Sequence, residues 1–475
     1  MAISVLVSFA YFYQAGGWNQ NSRYDLTRAI VEHRTIAIDA YHSNTGDKAH
    51  LDGHFYSDKA PGQSLVAVPV VALGFAAFGE DAGQRRPTSV ITYAMTVVTS
   101  AIPAAVMALA IMGIAGRRRR SRGAALFAAV ALSLATPMWA YATLFMGHAL
   151  AASCLAIAVW GAVSLAERGN SRRDLLLGLA IGAAAGWAVV TEYPAAVPAA
   201  LIALFALWQV RLDLRTRMPR VALGIAVGAG ICTAVLLVYH QRAFGSPFQT
   251  PLKYLYGFHH VREQPFTLPR PSALASILFG AKRGLLPLAP VLVASVMGLV
   301  FMVRDRQSRA LGCLCASIIV YYALFNASFA TPMAGWSYGP RYMAAALPFW
   351  ALALPWVWDR LEHRGWRVAL IALAVWGVAW SLFAVSTTAQ PPELFANPMK
   401  ELFWPAFAEG DLSLNNQSFL ELNASVKDLR GGGVDHDAFN LGELLGLRGH
   451  LSLVPLALVW GAASFFLWRR RREQS

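Results

Sequence analysis

Charge is scarce in this chain. Of its 475 residues only 14% are charged and 56% are hydrophobic, against roughly 25% charged in an ordinary soluble domain. The shortage excludes a water-facing surface of normal composition for this length. The apolar residues lie in long blocks rather than along one helical stripe, and blocks of about 20 residues are what a helix needs to cross a bilayer. Cysteine is rare too. Cys154, Cys232, Cys313 and Cys315 each sit inside an apolar block, with no CxxC pair. They read as small buried hydrophobes, not as a disulfide framework or a thiol metal site. Nucleotide loops are missing: there is no GxxxxGK[ST], and no GxGxxG following a strand, which argues against ATP hydrolysis. No repeat of 20–50 residues is present.

What the chain has instead is arginine. The formal net charge is +14, a balance that would suit nucleic acid, but no basic face with interleaved aromatics exists, and nucleic acid is set aside as a partner. The arginines stand in six clusters between apolar blocks, at 117–122, 168–173, 211–220, 304–309, 360–367 and 469–472. Such clusters mark the cytoplasmic ends of spans. Placing all six on that side predicts an all-α integral membrane protein of about twelve transmembrane helices, with cores near 2–16, 89–115, 123–146, 148–166, 174–190, 194–210, 220–240, 286–303, 310–327, 341–358, 368–385 and 451–468. The first segment has no basic n-region and no small-residue cleavage site, so it is expected to be retained as a helix.

The stretch 64–79 does not fit that count. It has 16 residues including Pro69, and as a helix it would reach about 24 Å, short of the roughly 30 Å hydrocarbon core. Crossing there would also move Arg117–Arg120 to the outside. It is expected to lie in the outer interface. A long first extracytoplasmic loop, 17–88, follows from this, with further outer segments at 241–285, 328–340 and 386–449. All six lysines (48, 59, 253, 282, 400 and 427) fall on these outer segments. The organisation expected is a membrane module over 1–210, containing the long loop, and a variable transmembrane module over 211–475.

The long loop concentrates the chemistry. It holds Asp25, Glu32, Asp39, Asp47, Asp52 and Asp58 with Arg23, Arg28, Arg34, Lys48 and Lys59. Leu26, Ala29, Ile30 and His33 have helical spacing, predicting an amphipathic helix over 23–33 that lies on the membrane. Tyr56-Ser57-Asp58-Lys59-Ala60-Pro61-Gly62 then delivers an acid and a base directly before the interfacial helix. A helix start beside Lys59, with its free backbone N–H groups, is a favourable seat for an anion.

This order of elements resembles the GT-C superfamily of membrane glycosyltransferases, and within it the lipid A aminoarabinose transferases and protein O-mannosyltransferases. There, D-E-x-R-Y opens the loop and E-K-P-P precedes the interfacial helix. Arg23-Tyr24 match R-Y, Asp58-Lys59 match E-K, and Pro61 falls near the proline pair. The likeness covers roughly the first 170 residues as an order of elements, and the rest only as a run of spans with large outer loops. It implies a GT-C-like fold and an enzyme that moves a sugar, with inversion, from a polyprenyl-phosphate-linked donor to an extracytoplasmic acceptor, which is a lipid, glycan or protein. It implies Arg23, Tyr24 and Lys59 as holders of the donor phosphate, with Lys48 as a further cation. It also implies Asp58 as a ligand to a divalent metal ion, for which His259 or His260 would be the partner. One departure matters: the leading acid of the motif falls at Gln20, followed by Asn21, and neither is a base. An inverting transfer to a hydroxyl needs a carboxylate to take its proton. Asp25 is the nearest substitute, with Asp39 and Asp47 as alternatives, unless the acceptor is already an anion.

Other segments offer secondary candidates. Ala334-Gly-Trp-Ser-Tyr-Gly-Pro-Arg-Tyr342 is a glycine- and aromatic-rich turn in which Arg341 suits a phosphate clamp, with Trp336 and Tyr338 lining a cavity or serving as interface anchors. Arg283, in Lys282-Arg283-Gly284, has the same two readings. His148 is a cavity candidate or a hydrogen-bonded turn histidine. Glu192 is an acid between two apolar blocks, a costly position unless it is paired or wetted. The expected setting is the plasma (inner) membrane, multi-pass, with membrane lipids around the chain and the site on the outer side. A transporter or flippase of lipid-linked sugars, or a polymerase of O-antigen type, is the rival reading.

Overall fold

The computed structural model describes every residue except 168, 333–334, 415–417, 422–436 and 473–475. The chain is a multi-pass helical membrane protein. Among the described residues, eight helices are long and apolar enough to cross a bilayer: Gly62–Gly83, Arg85–Arg117, Gly147–Ser164, Ser171–Thr191, Arg217–Phe244, Arg309–Ser328, Arg364–Thr387 and Gly449–Arg469. Arg122–Leu134, Tyr193–Gln209 and Val291–Arg304 are shorter apolar helices. The helix Arg217–Phe244 leaves Leu223, Val227, Ile231 and Val238 exposed, an apolar surface that only lipid would match.

The expected count of twelve spans is not confirmed, because three of the expected segments are interrupted for local reasons. The segment 2–16 is a helix only over Ala2–Ala10; the chain then extends into the strand Phe12–Tyr13, which pairs antiparallel with Phe439–Asn440. The segment 123–146 stops at Leu134, just before Pro137. The segment 341–358 breaks into a 3-10 turn, Arg341–Ala346, and two short helices, Leu347–Ala351 and Leu354–Trp358. Pro348 and Pro355 sit at the starts of those pieces, where a missing N–H and a rigid ring stop a helix from running through.

Five of the six arginine clusters converge on one face. Arg117 pairs with Glu167 at 3.4 Å, Arg173 with Glu167 at 2.9 Å, Arg217 with Asp174 at 2.9 Å and Arg120 with Asp359 at 3.9 Å, while Arg118 donates to the Gln307 carbonyl at 2.9 Å. The helices Ser171–Thr191 and Arg217–Phe244 pack along their length. Gly178 and Gly182 face Val221 and Ile225, and Gly224 and Gly228 face Leu175 and Leu179, the small-residue contact that lets helix backbones approach closely.

The helix Gly62–Phe78 is long enough, with the 3-10 turn after it, to cross a membrane by apolarity alone. Gln63 bonds Thr99 and Ser100, and Gly74 packs on Ile91. It therefore runs antiparallel beside residues 85–100 of the long helix, the half farther from Arg117. That half begins with the amphipathic piece Arg85–Thr96 and joins the rest through a π turn at Val97–Ala101, the kind of insertion at which helices bend.

The loop helix forms, but not as expected. It spans Trp18–His33, and Arg23, Tyr24, Asp25 and Leu26 are all buried. It is the centre of a packed layer rather than a helix lying on a membrane. A two-stranded hairpin, Lys48–Leu51 with His54–Ser57, follows it. Asp52 and Gly53 turn that hairpin with φ of 52° and 83°, and Asp-Gly is a preferred pair for a turn with two positive φ values.

Candidate active site

The hairpin register builds the first half of the site. Lys48 pairs with Ser57, so the next residues outward, Asp47 and Asp58, stand side by side. Lys59 folds back between them, its Nζ 2.8 Å from Asp47 Oδ2 and 2.8 Å from Asp58 Oδ2. Ser22 on the loop helix donates to Asp58 Oδ1 at 3.3 Å and shares a 2.8 Å bond with the Ser57 hydroxyl. Burial raises Asp58 above the ordinary carboxylate range; Lys59 pulls it down and Asp47 pushes it back up. Burial works against the Lys59 charge, but Asp47 and Asp58 outweigh it and hold its proton more tightly than in a free lysine, with Arg341 opposing them.

The loop helix supplies the second half. Asn19 and Arg23 stand one turn apart on one face, which places the Asn19 amide oxygen 3.1 Å from Arg23 Nε. Arg23 Nη1 donates to the Ala60 carbonyl at 3.0 Å and Nη2 meets Glu192 Oε1 at 2.7 Å. Glu192 ends the helix Ser171–Thr191, and His148 Nδ1, from the first turn of Gly147–Ser164, faces the same oxygen at 3.6 Å. Arg23 therefore ties the loop helix, the acid-lysine turn and two transmembrane helices together.

Arg341 completes the group. Its field reaches Lys59, His148 and Tyr141. Its Nη2 donates to the Tyr342 hydroxyl at 3.3 Å, and its buried Nε meets no hydrogen-bond partner. No carboxylate among the described residues lies within ion-pair distance of it. A half-buried guanidinium whose inner nitrogen has no partner is costly to leave without an anion, and its planar fork suits a phosphate. Arg283, buried nearby, has Glu393 at 3.9 Å, and Glu393 is mostly exposed.

The structure thus brings together Arg23, Lys59, Arg283, Arg341, His148, Glu192, Asp47 and Asp58, and leaves the other sequence candidates elsewhere. Asp25 is two residues from Arg23, about 200° around a helix, so it points the opposite way. There its Oδ1 accepts from Asn44 at 3.0 Å and its Oδ2 is buried without a partner. Burial holds it well above the usual carboxylate value against the opposing Asn44 bond, Arg28 and Lys48. Tyr24 packs edge-on against Phe419. Asp39 accepts from the Phe55 amide at 2.6 Å and pairs with His54 at 2.7 Å on the exposed side of the hairpin. Lys48 donates to the His42 carbonyl at 2.6 Å, over the Phe55 and Tyr256 rings. Tyr338 is buried edge-on against Phe403, and Trp336 is half-buried.

The residues do not fit the metal site suggested by resemblance. Asp58 is engaged by Lys59 and Ser22, while His259 is exposed and takes Arg262 at 2.9 Å, with His260 exposed beside it. Among the described residues no three His, Cys, Asp or Glu side chains gather in a ligand set.

Sequence reasoning missed Asn19, Ser22, Ser57 and Tyr342. The first two were legible as sharing the Arg23 face of a helix. The last two depend on the hairpin register, for which Asp52-Gly53 was the signal, and on a break in a segment expected to be one span.

An apolar cavity of about 190 Å³ opens among Ser171–Thr191, Ala196–Gln209 and Arg217–Phe244, lined by Ile181, Ala185, Val189, Val190, Ala203 and Leu236 among others.

No protein-family model matches the sequence, and no curated protein matches it. Solved structures do. ArnT from Cupriavidus metallidurans bound to undecaprenyl phosphate aligns at a TM-score of 0.54 with 18% identity, over 87% of this chain and 68% of that one. Its apo state aligns at 0.52 with 17% identity, over 87% and 67%. The archaeal oligosaccharyltransferase AglB from Archaeoglobus fulgidus, in complex with an inhibitory peptide and a dolichol-phosphate, aligns at 0.50 with 13% identity, over 91% and 60%.

Proposed function

We propose that this chain, which has the fold of the GT-C membrane glycosyltransferases, transfers a sugar from a polyprenyl-phosphate-linked donor to an acceptor outside the cell. The observation that carries this reading is Arg341: a half-buried guanidinium whose buried Nε has no partner and which has no carboxylate partner among the described residues, in the field of Lys59, at the face opposite the arginine clusters. That face is the extracytoplasmic one by the positive-inside rule. The two similar structures that hold a lipid hold undecaprenyl phosphate or dolichol-phosphate, and the apolar cavity among Ser171–Thr191, Ala196–Gln209 and Arg217–Phe244 offers an isoprenoid tail room between helices.

In this reading Arg341 and Lys59 hold the donor phosphate, with Arg283 behind them. Arg23 is not a free phosphate ligand, because its fork is committed to Asn19, Ala60 and Glu192; it positions the turn that carries Lys59. Asp47 takes the role of base, since it alone of the three acids proposed for that task stands at Lys59. The acceptor oxygen attacks the anomeric carbon as the bond to the phosphate oxygen breaks. Asp47 receives the acceptor proton, and polyprenyl phosphate leaves with the electron pair, inverting the centre. Charge growing on that phosphate is met by Arg341 and Lys59, donors already in place before the reaction.

The test is release of polyprenyl phosphate by the purified chain from a panel of polyprenyl-phosphate sugars. Release that is lost in Lys59→Ala and Arg341→Ala supports the proposal. Movement of the sugar lipid across vesicles without release would instead support a flippase, and release of a pyrophosphate lipid would support a polymerase.

A further inference from the structure

The apolar helix Arg309–Ser328 carries an amide that its surroundings do not satisfy. Asn326 is fully buried, and neither its Oδ1 nor its Nδ2 has a hydrogen-bond partner. Such a group is expensive inside a membrane-level helix, where leucine would fill the same space at no polar cost. One turn earlier on the same face, the hydroxyl of Tyr322 is buried and equally without a partner. His148 repeats the pattern from the neighbouring helix: it is buried, and its Nε2 is unpartnered.

Glu192 relates them: His148 Nδ1 stands 3.6 Å from it, Tyr322 lies in its field, and Asn326 is one turn along the helix from Tyr322. Tyr321 donates to the Pro194 carbonyl at 3.0 Å, which pins Arg309–Ser328 to the turn directly behind Glu192. Phe325 and Phe329, on the same side of that helix as Asn326, meet the Tyr342 ring at 6.2 and 5.2 Å between centroids. Tyr342 meets His148 at 6.3 Å, and His148 faces Glu192. We infer that Asn326, Tyr322 and His148 form the subsite for the transferred sugar, and that it takes an uncharged, hydroxyl-rich ring. The inference rests on the glycosyl-transfer reading above and adds the substrate class.

The chemistry selects such a ring. Asn326 and Tyr322 each donate and accept, as sugar hydroxyls do. His148, with Nδ1 turned to Glu192, offers Nε2 as an acceptor. The carboxylate at this place is already paired: Glu192 holds Arg23 at 2.7 Å. An ammonium on the sugar therefore gains no free counter-charge here and must leave its water behind, so an amino sugar is disfavoured.

The experiment measures binding of three lipids to the full chain in nanodiscs: polyprenyl phosphate alone, the same lipid carrying an uncharged hexose or pentose, and the same lipid carrying an amino sugar. The wild type should bind the uncharged sugar lipid most tightly. Asn326→Leu and Tyr322→Phe should each weaken that binding about tenfold, the size of one lost hydrogen bond with its partner left unpaired. Both should leave the affinity for polyprenyl phosphate alone within about twofold, and Asn326→Leu should melt no lower than wild type, since it removes an unsatisfied amide. A change common to all three lipids, no change in either variant, or tighter binding of the amino-sugar lipid would each overturn the subsite while leaving the phosphate seat standing. Failure of polyprenyl phosphate itself to bind would overturn both readings.

Discussion

Arg23 Nη2 lies 2.7 Å from Glu192 Oε1, joining positions 169 residues apart in the chain. The arginine is buried and the glutamate nearly so. Removing one member of such a pair strands the other charge and typically costs about 3 kcal/mol or more; some remaining exposure of Glu192 puts the expectation nearer 2 kcal/mol. Arg23→Met should therefore lower the melting temperature and lose transfer together. Arg23→Met with Glu192→Gln should recover most of the stability and none of the transfer, because the Lys59 turn still lacks its anchor at the Ala60 carbonyl. A thermal melt run beside the release assay reads both.

Gly147 lets that pair form. A Cβ there would collide with Glu192 Oε1 and stand 3.0 Å from Arg23 Nη2. Gly147→Ala changes no ligand-binding group, yet it should depress transfer about as far as Glu192→Gln does. An alanine variant with wild-type turnover would show that the pair is not needed in its present geometry.

Asp47 and Asp58 both hold Lys59, but they should not be equal in the reaction. Asp58 is tied on one oxygen to Lys59 and on the other to Ser22, a positioning arrangement. Asp47 is the proposed base, and removal of a general base costs roughly 100- to 10,000-fold in turnover. Asp47→Asn should thus drop kcat on that scale with little change in KM. Asp58→Asn should act mainly on KM, through a displaced Lys59. Equal effects of both on kcat would remove Asp47 from the role of base.

Much of this was legible in the sequence, and the parts that were not share a cause. The arginine clusters gave the common face, and Asp58-Lys59-Ala60-Pro61 gave the turn and the helix start behind it. Those are local signals. The breaks at Pro137, Pro348 and Pro355 were local as well, but long apolar runs outweighed them in the reading. Glu192 as the partner of Arg23 and Tyr342 beside His148 depend on contacts between segments more than a hundred residues apart, and the burial of the loop helix on Ser57 and Ser64 as well as the distant Gln390 and Ser418. No spacing reports these. Asp25 is a different kind of miss: once 18–33 is helical, its place two residues from Arg23 already turns it away from the site.

Asp25 gives the last prediction, and its sign can be worked out. Burial holds its folded value well above the ordinary 3.8, with the Asn44 bond only partly offsetting it. Below that ordinary value the carboxyl is protonated in both folded and unfolded chains. Above it the unfolded chain ionises first while the folded one keeps its proton, so the folded state loses relative stability as pH rises, until Asp25 itself ionises in the fold and the loss levels off. Asp25→Asn removes this term. Its melting temperature should therefore exceed that of the wild type by a few degrees at pH 7, and the gap should close as pH falls toward 4. Transfer should stay near wild type, because Asp25 faces Asn44 rather than Lys59. Melting curves across that pH range, with release measured at pH 7, decide the matter. If transfer collapses in Asp25→Asn and the melting profile does not move, Asp25 is the base and the loop helix must rotate to present it.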